Sequence, residues 1–302
     1  MELTVLGCNS AKPTSNRHPS AQVLSVANHM FLIDCAEGTQ FQLHQMHVNF
    51  MRIDYILISH LHGDHVLGLV GLLSTMSLLH RSTPLTIIAD PQLETIVRSQ
   101  INFFCENISF EINFIHIHFE LPQIVLNIKG VSVQSVPLRH RVPTCGFVVR
   151  EQPKEPNIRK NAIYKYGLTI ADIVNIKNGK AWTDPVTGEC VNRKELVIDP
   201  PKPKSYAYIS DTAYKPDIVP YIEGVSLLYH ESTFASDKED MAKITYHSTA
   251  QQAATIAQRA NVGKLLLGHY SSRYKETDIF EAEAQNIFPN STAVYDGYKL
   301  VF

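Results

Sequence analysis

The sequence is poor in the features that mark several large protein classes. Its 302 residues include only five cysteines, Cys8, Cys35, Cys105, Cys145 and Cys190. Their number is odd, they are scattered, and no CxxC pair occurs. That pattern argues against a disulfide framework or a thiolate zinc site and points to free thiols in a reducing compartment. No apolar run approaches the roughly 20 residues of a membrane-spanning helix. The opening segment MELTVLGCNSAKPTS has no basic start followed by an apolar stretch, so it reads as a first strand and not as a signal peptide. The expectation is a cytoplasmic protein with no membrane association. Positive charge is not in excess either: 27 Lys and Arg stand against 29 Asp and Glu, a net of -2. Nucleic-acid binders are usually basic overall, so any such role must rest on local charge. No internal repeat recurs at a fixed short period.

What is present is a sizeable apolar fraction, 44% of residues, with 19% charged, as suits a globular fold with a large core. LTVLG, AQVLSVA, HMFLIDC and DYILISH read as strands, with a helical segment GTQFQLHQM before the fourth. HVLGLVGLLSTMSLL is apolar all round and predicts a buried helix. TPLTIIAD predicts a strand, and PQLETIVRSQINFF a helix with proline in its first turn. FEINFIHIHF, LNIKGVSVQSVPLRH and CGFVVRE continue as strands. YAYISDT and VSLLYHESTF follow later in the chain, then a helix at STAQQAATIAQRA, the strand KLLLGHY, a helix around DIFEAEAQNIF, and TAVYDGYKLVF. This order predicts α/β sheets covered by helices in one domain over 1–302, with the possibility of one strand-helix layout appearing in each half.

The pattern is interrupted over 152–204, where prolines and lysines replace sustained periodicity. From Glu151 to Lys204 ten Lys or Arg face seven Asp or Glu, so this stretch is modestly basic on an acidic body. It reads as an insertion projecting from the domain, and long insertions of this kind tend to be functional or disordered.

The densest chemistry is SHLHGDHVLGL, where His60, His62, Asp64 and His65 fall within six residues between two apolar runs. Imidazole nitrogen and carboxylate oxygen are ligands for zinc and similar divalent ions. At the end of an extended strand His60 and His62 share a face. Gly63 permits the turn into a helix that returns Asp64 and His65 over the same point. Two adjacent metal ions explain four such ligands better than one does. Further ligands must come from elsewhere, and three residues end apolar runs in the right way: His140 after VQSVPLR, Asp211 after YAYIS, and His269 after KLLLG. His116 and His118 lack a carboxylate neighbour and read as one face of a strand. His44 and His47 read as surface or packing residues.

HLHGDH matches the His-x-His-x-Asp-His hallmark of the metallo-β-lactamase superfamily. More closely, the chain resembles the ribonuclease Z family, endonucleases that remove the 3′ trailer from precursor tRNA. The likeness is carried in order by LGCNSAKPTSNRHPSA, FLIDCAEGTQFQL, SHLHGDHVLGL, PLRHRVPTCGFVV, SDTAY, HESTF, YHSTAQQAA and GHYSSRY. SDT and HEST stand where Gly-Asp-Thr and His-Glu-Ala-Thr are commoner. The resemblance implies an αββα sandwich of two mixed β-sheets flanked by helices, with 152–204 as an inserted tRNA-binding arm. It implies two Zn2+ per subunit, one held by His60, His62 and His140 and one by Asp64, His65 and His269, with Asp211 bridging. It also implies Asp64 as proton acceptor and His247 as proton donor, oriented by Glu231. Arg273 of SSRY would face substrate phosphate, and Arg17 of the Pro-Thr-x-x-Arg loop would bind substrate. Precursor tRNA would be cut 3′ of the discriminator nucleotide, leaving a tRNA 3′-hydroxyl and a 5′-phosphorylated trailer, by a homodimer in which one subunit's arm serves the other's site. The alternative is a related hydrolase of small phosphodiesters. HLHGDH alone does not separate the two; the insertion, HST and SSRY favour the RNA enzyme. YHSTAQQAA also opens a helix that Ser248 or Thr249 can cap, so a structural place for His247 stands beside the catalytic one.

Overall fold

The computed structural model describes residues 1–105 and 107–302. By internal contacts it divides into Met1–Glu151 with Lys204–Phe302, and Gln152–Pro203. The first unit holds two seven-stranded sheets. In one, Lys299–Val301, Glu2–Gly7, Ala21–Val26 and His29–Ile33 are antiparallel neighbours. His29–Ile33, Tyr55–Leu57, Leu85–Ala89 and Ile112–His116 then run parallel. The other sheet has the same composition. Ser291–Ala293, Leu265–Gly268, Leu227–Glu231 and Ser205–Ile209 are parallel, and Cys145–Glu151, Val131–Pro137 and Gln123–Ile128 are antiparallel additions. The strand-helix layout therefore occurs once in each half.

Alternation along the strands builds the layers. In the first sheet Leu3, Val5, Leu24, Phe31, Ile33 and Leu57 turn to one side and share a core with Val133, Phe147, Val149 and Tyr206 of the second. Their neighbours Leu6, Val23, Leu32 and Ile56 turn to the other side and meet Leu43, Leu72, Leu73 and Val97 of the covering helices. This is the period of two expected of pleated strands. Ala253, Ala257 and Phe280, on Ala250–Arg259 and Asp278–Gln285, cover the second sheet. Each such large apolar side chain contributes about 1.5–3 kcal/mol on burial.

The apolar run after the histidine motif differs from the expected buried helix. It forms a short helical turn, Gly63–Val66, and then a helix, Leu69–Leu78. Only Leu69, Leu72, Leu73 and Met76 of that helix are buried, while Leu67 and Leu78 are about 70% and 76% exposed. Gly68 marks the joint. A Cβ there would lie 2.0 Å from the Ala36 carbonyl oxygen, so only glycine lets the motif pack onto the Cys35–Ala36 backbone. His116 ends its strand and pairs with Glu94 at 2.7 Å, and His118 lies beyond the strand.

The second unit has its own small core of Ala162, Leu168, Ile176, Trp182, Leu196 and Val197. Two short antiparallel pairs, Asn157–Ile158 with Val197–Ile198 and Trp182–Thr183 with Cys190–Val191, accompany its helices. Thr169 and Asp172 form a reciprocal capping box at the start of Ile170–Lys177. No helix among the described residues is long and apolar enough to cross a membrane.

Candidate active site

The carboxyl ends of the parallel strands of both sheets converge, the place where open α/β sheets form sites. His60 and His62 follow Tyr55–Leu57, Asp211 follows Ser205–Ile209, Glu231 ends Leu227–Glu231, and His269 follows Leu265–Gly268. Register brings them level, since Glu231 pairs with Gly268. His140 arrives from the loop after Val131–Pro137. Asp34, Asp211 and His269 have left-handed backbones, φ 56°, 55° and 59°. This conformation costs about 1–3 kcal/mol at a non-glycine residue and turns each side chain back over its strand end.

Three overlapping groups could hold a metal ion: His60 with His62, His140 and Asp211; Asp64 with His65 and His269; and Asp211 with His247 and His269. The first two hold the ligands that the sequence named. In the first, His62 Nδ1 lies 3.1 Å from His60 Nε2 and 3.2 Å from His140 Nε2. Asp211 Oδ2 is 3.7 and 3.6 Å from the latter two. In the second, Asp64 Oδ2 is 3.6 Å from Nε2 of both His65 and His269. Asp211 Oδ1 is 3.3 and 3.1 Å from the same two nitrogens. Ligand atoms in a tetrahedron around zinc stand about 3.3–3.4 Å apart, given bonds of about 2.0–2.1 Å. The observed separations fit that spacing, and the two oxygens of Asp211 face different groups, as a bridging carboxylate requires. Nε2 of His65 and of His269 are buried without a hydrogen-bond partner. Buried polar atoms left this way call for a partner, and a cation between the groups supplies one.

The outer nitrogens are pinned, which turns the lone pairs inward. His65 Nδ1 donates to Asp34 Oδ2 at 2.7 Å, and His60 Nδ1 donates to Ser59 Oγ at 3.0 Å. His140 Nδ1 donates to the Tyr246 carbonyl at 3.1 Å, and His269 Nδ1 to Thr233 Oγ1 at 3.0 Å. Asp34 is fully buried and also accepts from Ser59 N, Ser59 Oγ and Tyr208 Oη. Burial lowers the pKa of His60, His62 and His140, favouring the neutral, ligating form. Burial alone would raise Asp64 and Asp211, but the imidazoles of His269 and His65 outweigh it and hold both carboxyls below their ordinary values.

Beside these groups stands a second pair. His247 lies between the helices Glu239–Thr245 and Ala250–Arg259. Thr249 caps the latter with Gln252, so the capping role does not involve the imidazole. His247 Nδ1 donates to Glu231 Oε1 at 2.8 Å. Burial would lower the pKa of His247; Glu231, with Asp211 and Asp64, overrides it and raises it from 6.5 to about 9. His62, Asp64, His140, Asp211, His247 and Arg273 all line one cleft of about 500 Å³. Arg17 is not among its lining residues: its guanidinium donates to the Tyr274 carbonyl and lies over the Tyr270 ring. Lys12 and Arg141 line the cleft as well, and sequence reading missed both. It also missed Asp34, Ser59 and Thr233, whose only signal was their position inside FLIDCAEGTQFQL, SHLHGDHVLGL and HESTF. Ala11 N donates to Asp64 Oδ2 at 2.8 Å, which fixes the first loop to the histidine motif.

Comparison with known proteins bears on this arrangement. A family model described as "Anti-Pycsar protein Apyc1" matches residues 1–154. The chain is 40% identical over 299 residues to Ribonuclease Z of Phocaeicola vulgatus, covering 99% of this chain and 96% of that one. The crystal structure of human tRNase Z, short form, has a TM-score of 0.73 at 25% identity, covering 100% of this chain and 99% of that one. The metallo-β-lactamase fold protein YhfI from Bacillus subtilis matches at a TM-score of 0.68 and 20% identity, covering 99% and 98%. Two mixed sheets between helices, with His and Asp clusters at their strand ends, define a protein of the metallo-β-lactamase fold. Within that class the chain belongs to the ribonuclease Z family, an enzyme family of endoribonucleases.

Proposed function

We propose that this enzyme cleaves precursor tRNA 3′ of the discriminator nucleotide, leaving a tRNA 3′-hydroxyl and a 5′-phosphorylated trailer. The observation that carries the reading is His247, backed by the buried Glu231, on the wall of the cleft that His62, Asp64, His140 and Asp211 also line. His60, His62 and His140 would hold one zinc ion and Asp64, His65 and His269 a second, with Asp211 shared. Zinc held there supplies Lewis-acid stabilisation of the phosphoryl group and lowers the pKa of water. Asp64 accepts a proton from the attacking water. His247, held by Glu231 through Nδ1, presents Nε2 to the leaving 3′ oxygen and gives it a proton. Arg273 meets substrate phosphate from the cleft, and Arg17 serves substrate through the loop it ties to Tyr274.

Lysines and arginines of 152–204 grip tRNA through phosphates, a salt-sensitive contact that does not read sequence. The arm serves the site of a second subunit in a homodimer. Five free thiols support a reducing, cytoplasmic setting. The test is to assay one precursor tRNA beside a small chromogenic phosphodiester, with and without chelator. Cleavage at the discriminator that chelator abolishes is expected. Hydrolysis of the small ester with the RNA left intact would favour the small-phosphodiester alternative, and activity in chelator would remove the metal assignment.

A further inference from the structure

One side chain touches both halves of this machinery. Thr233 Oγ1 lies 2.6 Å from Glu231 Oε2, 3.0 Å from His269 Nδ1 and 3.2 Å from His247 Nδ1. A hydroxyl has one proton to donate and two lone pairs to accept with. The ionised Glu231 takes the donated proton. Both imidazole Nδ1 atoms then carry hydrogen and point it at the hydroxyl. His247 divides its Nδ1–H between Glu231 Oε1, at 2.8 Å, and Thr233. Glu231 is completed by the backbone N–H groups of Thr212 and Thr233, at 2.9 and 3.0 Å. The Thr233 hydroxyl, the Glu231 carboxylate and both Nδ1 atoms are satisfied together when each ring carries its hydrogen on Nδ1, which aims the unpartnered His269 Nε2 at Asp64 and Asp211 and leaves His247 Nε2 for the cleft. Thr233 is 2% exposed and lies at the wall of the cleft.

We propose that the Thr233 hydroxyl is a positioning group that fixes His269 as a ligand and His247 as an acid at once, coupling metal retention to leaving-group protonation. This rests on the function proposed above. The coupling runs through one oxygen atom: losing it frees both rings to rotate and leaves one carboxylate oxygen of Glu231 short of a donor.

The test compares Thr233→Val, which keeps the shape and removes the hydroxyl, with Thr233→Ser, which keeps the hydroxyl. Three readouts are taken: zinc affinity by competition with a chelating dye, kcat and KM on precursor tRNA, and kcat on an RNA with sulfur in place of the bridging 3′ oxygen. A thiolate leaves without needing a proton. Thr233→Val is expected to bind zinc about 10-fold more weakly, the scale of losing an outer partner of a metal ligand. At saturating zinc it should lose kcat about 10- to 100-fold with KM within about twofold, and recover most of that loss on the sulfur substrate. Thr233→Ser should stay near wild type in all three. Wild-type zinc affinity and kcat in Thr233→Val would overturn the proposal, as would a Thr233→Ser as impaired as Thr233→Val. If Thr233→Val does not melt cooperatively, Thr233→Ala takes its place with the same expectations. Failure of the wild-type enzyme to release a 3′-hydroxyl tRNA would instead sink the functional reading, and the zinc readout would still judge Thr233.

Discussion

Tyr208 stands on one sheet and Asp34 at a strand end of the other, and the tyrosine hydroxyl donates to the Asp34 carboxylate at 2.7 Å. Asp34 in turn holds His65, so the two sheets are tied together at the metal-binding groups through a single carboxylate. Burial, with Asp34 beside it, keeps the Tyr208 phenol protonated and hence a donor. Replacing Tyr208 with Phe should cost about 1.5–3 kcal/mol, the range for a hydrogen bond to a charged group, read from urea unfolding. Zinc affinity should fall about 10-fold. An unchanged midpoint and affinity would mean that Asp34 is held well enough by Ser59 and His65 alone.

Asp64 takes part in the second ligand group and accepts the Ala11 amide. Asp64→Ala should lose at least one zinc equivalent by elemental analysis and more than about 100-fold in cleavage, exceeding the loss of an outer partner. Retained cleavage would contradict the two-metal reading.

The His247 ring meets Glu231 and Thr233 through Nδ1 and packs near the rings of His140, Phe234 and His269. His247→Ala should keep its zinc, with a lower melting temperature because the buried Glu231 carboxylate loses its imidazole partner. It should lose about 10²- to 10⁴-fold in kcat on precursor tRNA, the range for a general acid. Near-normal turnover would remove the assignment.

The segment 152–203 has its own core and is expected to act through binding. Deleting 155–200 should weaken precursor-tRNA binding by about 10-fold or more and flatten its salt dependence. Hydrolysis of a small phosphodiester should be spared. Equal loss of both activities would show the segment to be structural.

What could be read in the sequence follows from which interactions are local. HLHGDH is legible because four ligands share one strand-to-helix turn, and His140, Asp211 and His269 because each ends an apolar run. The covering helix from Pro91 to Phe104 is legible from its first-turn proline and its period. Asp34, Ser59, Tyr208 and Thr233 were silent because their partners sit on other strands and loops, brought near only by folding. The helix after the motif was misjudged because its apolar run does not reveal that Gly68 breaks it against Ala36. The contact of Arg17 with the Tyr274 carbonyl, 257 residues away, could not be read from its motif.

The left-handed backbones of Asp211 and His269 give these positions two conflicting masters. The local chain would relax with glycine, whereas the candidate ligand role calls for a larger side chain there. Glycine at position 269 would release that backbone strain while emptying a fully buried site and taking a partner from Thr233. Asparagine at 211 would keep the backbone geometry and remove the charge. Backbone comfort and side-chain chemistry therefore pull these two residues in opposite directions.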